Sequence, residues 1–130
     1  MLEESEEHRR EIPYLLSDLA DLECHVGHID RAQIYLERGL TLARSLEDSR
    51  IESVLLELRA NLFVALGDLA RAQRQYEEAL AITRDIGEVR LEAILLDNLG
   101  VVYQYNGHFQ QAEKSFQDSI EMHRIVGNRR

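Results

Sequence analysis

The sequence predicts an all-α solenoid of about three helical hairpins, which amounts to about six antiparallel helices. One observation behind this prediction is a residue pattern that recurs every 40 positions along the 130-residue chain. The other is a shortage of helix-breaking residues, with 7 Gly and 1 Pro. Sandwiches and barrels have many short strands and turns rich in Gly and Pro, so this composition favours helices. The length is that of a single domain spanning 1–130.

The repeat consists of columns of similar residues that align when the chain is compared with itself at an offset of 40. The columns are Gly27, Gly67 and Gly107; Ala32, Ala72 and Ala112; Leu36, Tyr76 and Phe116; Leu40, Leu80 and Ile120; Leu16, Leu56 and Leu96; and Leu15, Leu55 and Leu95. Periods of 20–50 residues are typical of solenoids, whose units bury their apolar faces by stacking. We expect repeats over approximately 10–49, 50–89 and 90–130.

The first helix of each unit is indicated by apolar residues at helical spacing. In the third unit these residues are Leu95, Leu96, Leu99, Val102 and Tyr103. This helix should end at Asn106-Gly107, because Gly is the usual residue for leaving a helix. Pro13 lies near the expected start of the first hairpin, and the first turn of a helix tolerates proline.

The second helix of the third unit carries Ala112, Phe116, Ser119 and Ile120, and should end near Val126. The small residues of the alanine column allow two helix backbones to approach closely, and large residues such as Phe116 fill the space between hairpins. The sequence therefore predicts helices near 10–26, 30–46, 50–66, 70–86, 90–106 and 110–126.

The third unit also carries a family motif. It reads Leu96-x-x-Leu99-Gly100-x-x-Tyr103, followed by Ala112-x-x-x-Phe116. This resembles the tetratricopeptide signature W-x-x-L-G-x-x-Y…A-x-x-x-F, with leucine in the Trp place. The second unit departs from it at Arg59 and the first at Glu23. The resemblance implies a right-handed superhelical solenoid. The 40-residue period resembles the long repeats of MalT-like bacterial regulators, related ATPases and animal cell-polarity adaptors.

The resemblance also implies a concave groove lined by the first helices. Its inward positions would be Tyr14, Ser17, Asp21, Cys24 and His25; Val54, Glu57, Asn61, Val64 and Ala65; and Ile94, Asp97, Val101, Gln104 and Tyr105. Three of these residues are acidic, so a protein or peptide with basic residues amid apolar anchors would suit the groove. The leading hypothesis is a protein–protein interaction scaffold, acting as the sensor or adaptor part of a signalling protein. The alternative for any single position is a solvated surface that binds nothing.

Charge and composition exclude several partners and locations. The formal net charge of -9 would repel phosphate, which argues against nucleic acid. No run approaches the roughly 18 apolar residues of a membrane span. The N-terminal residues MLEESEEHRR lack the apolar core of a signal peptide. The single Cys24 fits a reducing compartment, so we expect a cytoplasmic protein.

The sequence Cys24-His25-x-x-His28 is the one cluster with the spacing of metal ligands. A structural zinc site normally needs four ligands, and no second pair follows at the expected distance. His28 aligns with Asp68 and His108, just after a turn glycine, so a polar turn residue is the favoured interpretation. We find no glycine-rich phosphate loop and expect no enzyme activity, no metal and no cofactor. A small effector bound between helices stays open as a further hypothesis.

The two ends of the sequence indicate that the repeat continues. Leu2 and Ser5 align with Leu42 and Ser45, so the chain would begin inside the second helix of an earlier unit. It stops where a fourth unit would start, which would leave a partly apolar face open on the last two helices. Self-association through uncapped ends, with a possible homodimer, is therefore the alternative function. A fragment of a larger regulator would show the same features.

An arginine column recurs at the start of the first helices. Its members are Arg10, Arg50, Arg90 and Arg130. Cations at this end of a helix oppose the helix dipole. We expect an acid across the turn, such as Glu47, Asp48 or Glu88, to compensate.

Overall fold

The computed structural model describes residues 2–128, with side chains for residues 7–128, and this part of the chain consists of six helices joined by tight turns. The helices are α1 (Leu2–Val26), α2 (Ile29–Ser45), α3 (Ser49–Ala65), α4 (Leu69–Ile86), α5 (Val89–Tyr105) and α6 (Phe109–Asn128). Each odd-numbered helix packs against the even-numbered helix that follows it, and α2 and α4 also pack against the next hairpin. The predicted all-α helical repeat solenoid is confirmed, and the bounds of α2 to α6 lie within two residues of those predicted.

The first helix differs from the prediction. Residues 2–26 form one continuous helix, whereas the sequence indicated that a new helix starts near residue 10 after the end of an earlier one. Pro13 therefore lies inside α1 and not in its first turn, where the sequence had placed it. A proline has no backbone N–H to donate to the carbonyl of Arg9, four residues earlier. The Pro13 ring is fully buried, so it packs in the core although this backbone hydrogen bond is missing.

The turns inside the hairpins follow the glycine column. Gly27, Gly67 and Gly107 have φ angles of 86°, 80° and 81°, in the left-handed region that glycine adopts without a steric penalty. Gly87 has a φ of 71° in the turn between the second and third hairpins. The corresponding turn between the first and second hairpins uses Glu47, with a φ of 56°. The predicted glycine turns are confirmed, and Glu47 is the exception among them.

The core is formed by the leucine and alanine columns. Leu55, Leu56, Leu95 and Leu96 are buried, as are the small residues that let the helices approach one another. At the same register as Ala20 and Ala60, Gly100 lies against the Phe116 ring, and an added Cβ would come within 2.7 Å of Phe116 Cδ1 and Cζ.

Ion pairs join consecutive hairpins at the same 40-residue offset. Arg44 Nε lies 3.0 Å from Glu52 Oε2, and Arg84 Nε lies 3.1 Å from Glu92 Oε2. The arginine column has the expected partner at one position, since Arg50 Nε lies 3.2 Å from Glu88 Oε2. Arg130 lies outside the residues that the structure describes. The arginine of each pair is about half exposed to solvent, so each pair is worth only about 1 kcal/mol.

Candidate functional site

A pocket of about 530 Å³ lies between the second and third hairpins. Residues of α3, α4, α5 and the turn between α3 and α4 line it: Asn61, Val64, Gly67, Leu69, Tyr76, Asn98, Val101, Val102 and Tyr105. Four of the predicted groove residues thus come together here, namely Asn61, Val64, Val101 and Tyr105. The apolar members form a surface large enough to receive one side chain of a partner.

Tyr76 and Asn61 form the polar part of this pocket. The Tyr76 side chain is buried, and its hydroxyl donates a hydrogen bond to Asn61 Oδ1. Burial, followed by the negative charge of Glu57, raises the pKa of Tyr76 far above its ordinary value. The hydroxyl therefore stays protonated at neutral pH and fixes the orientation of the Asn61 amide.

The Glu57 carboxylate on α3 adjoins the pocket through Asn61, and the Asp21 carboxylate on α1 lies near Glu57. Burial raises the pKa of Glu57, the hydrogen bond from Asn61 opposes this rise, and the negative charge of Asp21 adds to it. The charge of Asp21 on the first hairpin therefore acts on Glu57 on the second. Half of the Asp21 side chain is exposed to solvent. This pair is a negative site whose charges are only partly hydrated.

Two other predicted residues of α1, Tyr14 and Ser17, are engaged within that helix and the turn after the first hairpin. The Tyr14 hydroxyl donates to Asp48 Oδ2 at 3.0 Å. Ser17 is 7% exposed, and its hydroxyl donates to the Tyr14 carbonyl at 2.7 Å. The Tyr14 side chain therefore links α1 to the turn before α3, and the Ser17 hydroxyl is engaged within α1.

The remaining predicted residues of α5 lie outside the lining of the pocket. The carboxylate of Asp97 faces α6, where it accepts a hydrogen bond from Ser119 and lies 3.0 Å from His123 Nε2. Ile94 and Gln104 are exposed on the same helix. The structure thus separates Asp97 from the Asp21–Glu57 pair, although the repeat places Asp97 and Glu57 at equivalent positions.

Sequence reasoning missed five lining residues of the pocket. Two of them, Gly67 and Leu69, surround the turn after α3, and Val102 was assigned to the core. Tyr76 was identified only as a filler between hairpins, although its place beside Asn61 follows from the same repeat register. Asn98 had no signal in the sequence, because nothing in the repeat marks it as different from its neighbours.

The comparison with protein families decides what kind of repeat this is. The tetratricopeptide repeat model matches residues 11–85 and 52–125, which together span most of the chain. The chain belongs to the tetratricopeptide repeat family. Tetratricopeptide domains are protein-interaction scaffolds that bind proteins or peptides, and they are generally not enzymes. No curated protein matches the sequence.

Three solved structures resemble this chain in fold, and two of them are described as containing tetratricopeptide repeats. BtubC from P. vanneervenii has a TM-score of 0.78 and 24% identity, covering 93% of this chain and 54% of BtubC. A signal transduction ATPase with a tetratricopeptide repeat sensor, from Pyrococcus horikoshii, has a TM-score of 0.79 and 19% identity, covering 88% and 18%. The tetratricopeptide domain of Arabidopsis FLU has a TM-score of 0.81 and 16% identity, covering 90% and 98%. This chain thus spans about half of the first structure and less than a fifth of the second.

The Cys24 region of this tetratricopeptide domain shows ordinary surface contacts. His28 Nδ1 lies 2.7 Å from Glu23 Oε2, and His25 Nδ1 lies 2.7 Å from the Asp21 carbonyl. Burial and the charge of Asp21 raise the pKa of the Cys24 thiol, which disfavours the thiolate that metals and electrophiles require. Across residues 7–128, three or more His, Cys, Asp or Glu side chains do not cluster as metal ligands would. Within residues 2–128 each helix is too short or too polar to span a membrane.

Proposed function

We propose that the tetratricopeptide groove binds an extended segment of another protein that carries a Lys or Arg beside an apolar side chain. The observation that carries this proposal is the apolar pocket between α3 and α5, whose residue Asn61 bonds the Glu57 carboxylate, with the Asp21 carboxylate near Glu57. The basic side chain would lie between the two carboxylates, and the apolar side chain would enter the pocket.

The electrostatics of the carboxylate pair favour a cation. Glu57 is partly desolvated and repelled by Asp21, and both conditions disfavour its negative charge. A guanidinium or ammonium between the two groups would replace the lost hydration and cancel the repulsion. Charge-assisted hydrogen bonds of this kind are stronger than neutral ones, and the net charge of -9 would attract a basic segment from a distance.

The pocket itself supports an apolar anchor. Val64 and Val101 are exposed on its two walls, and Tyr105 is 73% exposed at its edge. Exposed apolar groups grouped in one concave place are typical of an interaction surface. Asn61 and Asn98 in the same pocket each have an amide group that could bond a peptide backbone.

The setting that we propose is the interaction or sensor part of a larger signalling or regulatory protein in the cytoplasm. The similarity in fold to the tetratricopeptide sensor of the signal transduction ATPase supports this setting. Repeat domains are commonly used in this way because their stacked helices form an extended concave surface.

Fluorescence anisotropy with labelled ten-residue peptides would test the proposal. An array that varies the spacing between one Arg and one Leu or Phe would identify the best binder, and the same peptide with Glu for Arg serves as the negative control. Asp21→Lys and Val101→Asp should each weaken the best binder by at least about 10-fold. Asp85→Lys makes the same charge change at an exposed position near the end of α4 and should leave binding nearly unchanged.

Two results would contradict the proposal. One is an array in which no basic and apolar combination binds more tightly than the Glu-containing control. The other is a peptide whose affinity falls equally with Asp21→Lys and Asp85→Lys, because that would reflect net charge and not the groove.

A further inference from the structure

Successive hairpins pack at two junctions, and the groove-lining helices approach each other differently at each. At the first junction α2 packs against α1 and α3, and α1 also contacts α3 directly. At the second junction α4 packs against α3 and α5, but within residues 2–128 these two helices have no comparable contact with each other. The pocket of about 530 Å³ lies in this wider gap.

The residue at the base of the gap differs between the two junctions. At the register where α2 has Leu36, α4 has Tyr76. Leu36 is fully buried, whereas Tyr76 is 2% exposed and forms part of the pocket lining. A tyrosine side chain is longer and wider than a leucine side chain, and a protein interior is packed too densely to absorb this difference without moving a neighbour.

Tyr76 reaches both sides of the gap. Its hydroxyl donates a hydrogen bond to Asn61 on α3, and its side chain lines the pocket together with Val102 of α5. Tyr76 and Val102 also belong to one buried apolar cluster. The hydrogen bond to Asn61 keeps the tyrosine ring extended toward the groove, so the ring occupies the space between the two helices.

The size of the α5 side chains does not account for the gap. Val102 stands where α3 has Leu62, and Asn98 stands where α3 has Leu58. Each α5 residue is smaller than its counterpart, so these differences would let α5 approach α3 more closely than α3 approaches α1. The opposite is observed, and the cause of the gap therefore lies on α4.

We propose that Tyr76 determines where the groove accepts an apolar side chain, because its ring holds α3 and α5 apart at the base of the pocket. This role rests on the proposed function of the groove, in which an apolar side chain of a bound segment enters the pocket. Tyr76 is a positioning residue, since it acts through the helices that carry Val64 and Val101. It directs the apolar side chain to the second junction and leaves the carboxylates of the first junction for the basic one.

Methyl NMR of the free protein tests the spacing without any ligand. Tyr76→Leu installs the residue of the first junction, so nuclear Overhauser effects between the methyl groups of Val64 and Val101 should become stronger as the helices approach. Tyr76→Phe keeps the ring and should leave these effects unchanged. If the leucine variant does not fold, Tyr76→Met provides the same test with a more adaptable side chain. Unchanged effects in a folded Leu or Met variant would overturn the proposal.

Peptide binding tests the specificity. The probes are the best peptide of the Arg and Leu or Phe array, the same peptide with Ala for the apolar residue, and the same peptide with Glu for Arg. In the parent protein, each replacement should weaken binding by at least about 10-fold. In Tyr76→Leu the loss caused by Ala should fall to about 2-fold, while the loss caused by Glu should stay close to its value in the parent. A general loss of structure would instead reduce both losses together.

Phe116→Leu is the matched control. Phe116 has the register of Tyr76 in the third hairpin but lies outside the pocket lining, so this variant should keep both losses at their values in the parent. Tyr76→Phe should also keep them, because the ring remains in place.

The outcomes separate the role of Tyr76 from the proposed function. A folded Tyr76→Leu variant that keeps the full loss caused by Ala would overturn the role of Tyr76. A Tyr76→Phe variant that removes this loss would also overturn it, because the hydrogen bond to Asn61 and not the ring would then form the pocket. A parent protein that binds no peptide of the array would contradict the proposed function, while the methyl measurement would still decide whether Tyr76 sets the gap.

Discussion

At the residue scale, Glu47 holds a backbone conformation that favours glycine. Its φ of 56° lies in the left-handed region, and the corresponding residue between the second and third hairpins is Gly87. A side chain at such a position costs about 1–2 kcal/mol. Glu47→Gly should therefore raise the free energy of unfolding by about 1 kcal/mol, as measured by urea denaturation.

The reverse substitution serves as the control for Glu47. Gly87→Ala places a side chain in the same conformation, where no neighbouring atom lies within 4 Å of the added Cβ. It should lower the free energy of unfolding by a similar amount for backbone reasons alone. If Glu47→Gly destabilised the protein, the glutamate side chain would have a stabilising contact that outweighs its backbone strain.

Glu57 gives a pH-dependent prediction. Its pKa is raised from the ordinary 4.5, mainly by burial, so the folded state holds the proton more tightly than the unfolded state does. Stability contributed by Glu57 is therefore greatest in acid and declines as the pH rises through the raised pKa. Glu57→Gln removes this decline and keeps an acceptor for the Asn61 amide. We expect the variant to melt at a higher temperature than the parent at pH 7.

The melting difference between Glu57→Gln and the parent should disappear as the pH falls below 4.5. Glu113→Gln, at an exposed position on α6, is a matched control that should leave the melting temperature unchanged at both pH values. A Glu57→Gln variant that was less stable at pH 7 would show that the carboxylate is favoured by its surroundings in the folded state.

At the scale of single elements, α5 and α6 depend on Gly100. The Phe116 ring occupies the space that a Cβ at this position would take. Gly100→Ala should therefore displace the ring and lower the free energy of unfolding by about 1–2 kcal/mol, despite the higher helix propensity of alanine. The double variant with Phe116→Leu should recover part of the loss. If Gly100→Ala alone were stabilising, the ring would move at no cost.

Element boundaries were predictable because glycine marks them physically. The turns at Gly27, Gly67 and Gly107 require a left-handed residue, and the repeat fixes the helix lengths between them. The predicted start of α1 was wrong because the segment before Pro13 has no such turn residue. A buried proline inside a helix also depends on tertiary packing. Repeat register alone gave no information on that packing.

The candidate site was predictable only in part for a related reason. The register identified Asn61, Val64, Val101 and Tyr105, because the same helix face recurs in each unit. It treated Ser17, Glu57 and Asp97 as equivalent, but their surroundings differ: Ser17 is buried, Glu57 lies near Asp21, and Asp97 contacts α6. Those differences come from side chains on other helices, which a repeat pattern does not describe.

At the scale of the whole molecule, stability should vary along the solenoid. Stacked repeats contact only their neighbours, so α3 and α4 have hairpins on both sides, whereas α1 and α6 each lack a neighbour on one face. Local opening should therefore require the most free energy in the central hairpin. Hydrogen exchange of a dilute solution should show the slowest amides in α3 and α4, and faster exchange in α1 and α6.

The same measurement also tests how strongly the hairpins are coupled to one another. Equal exchange rates in the core of all six helices would contradict the expected gradient of stability along the solenoid. Such rates mean that the three hairpins open together as one cooperative unit. Contacts between hairpins would then be as strong as those within them.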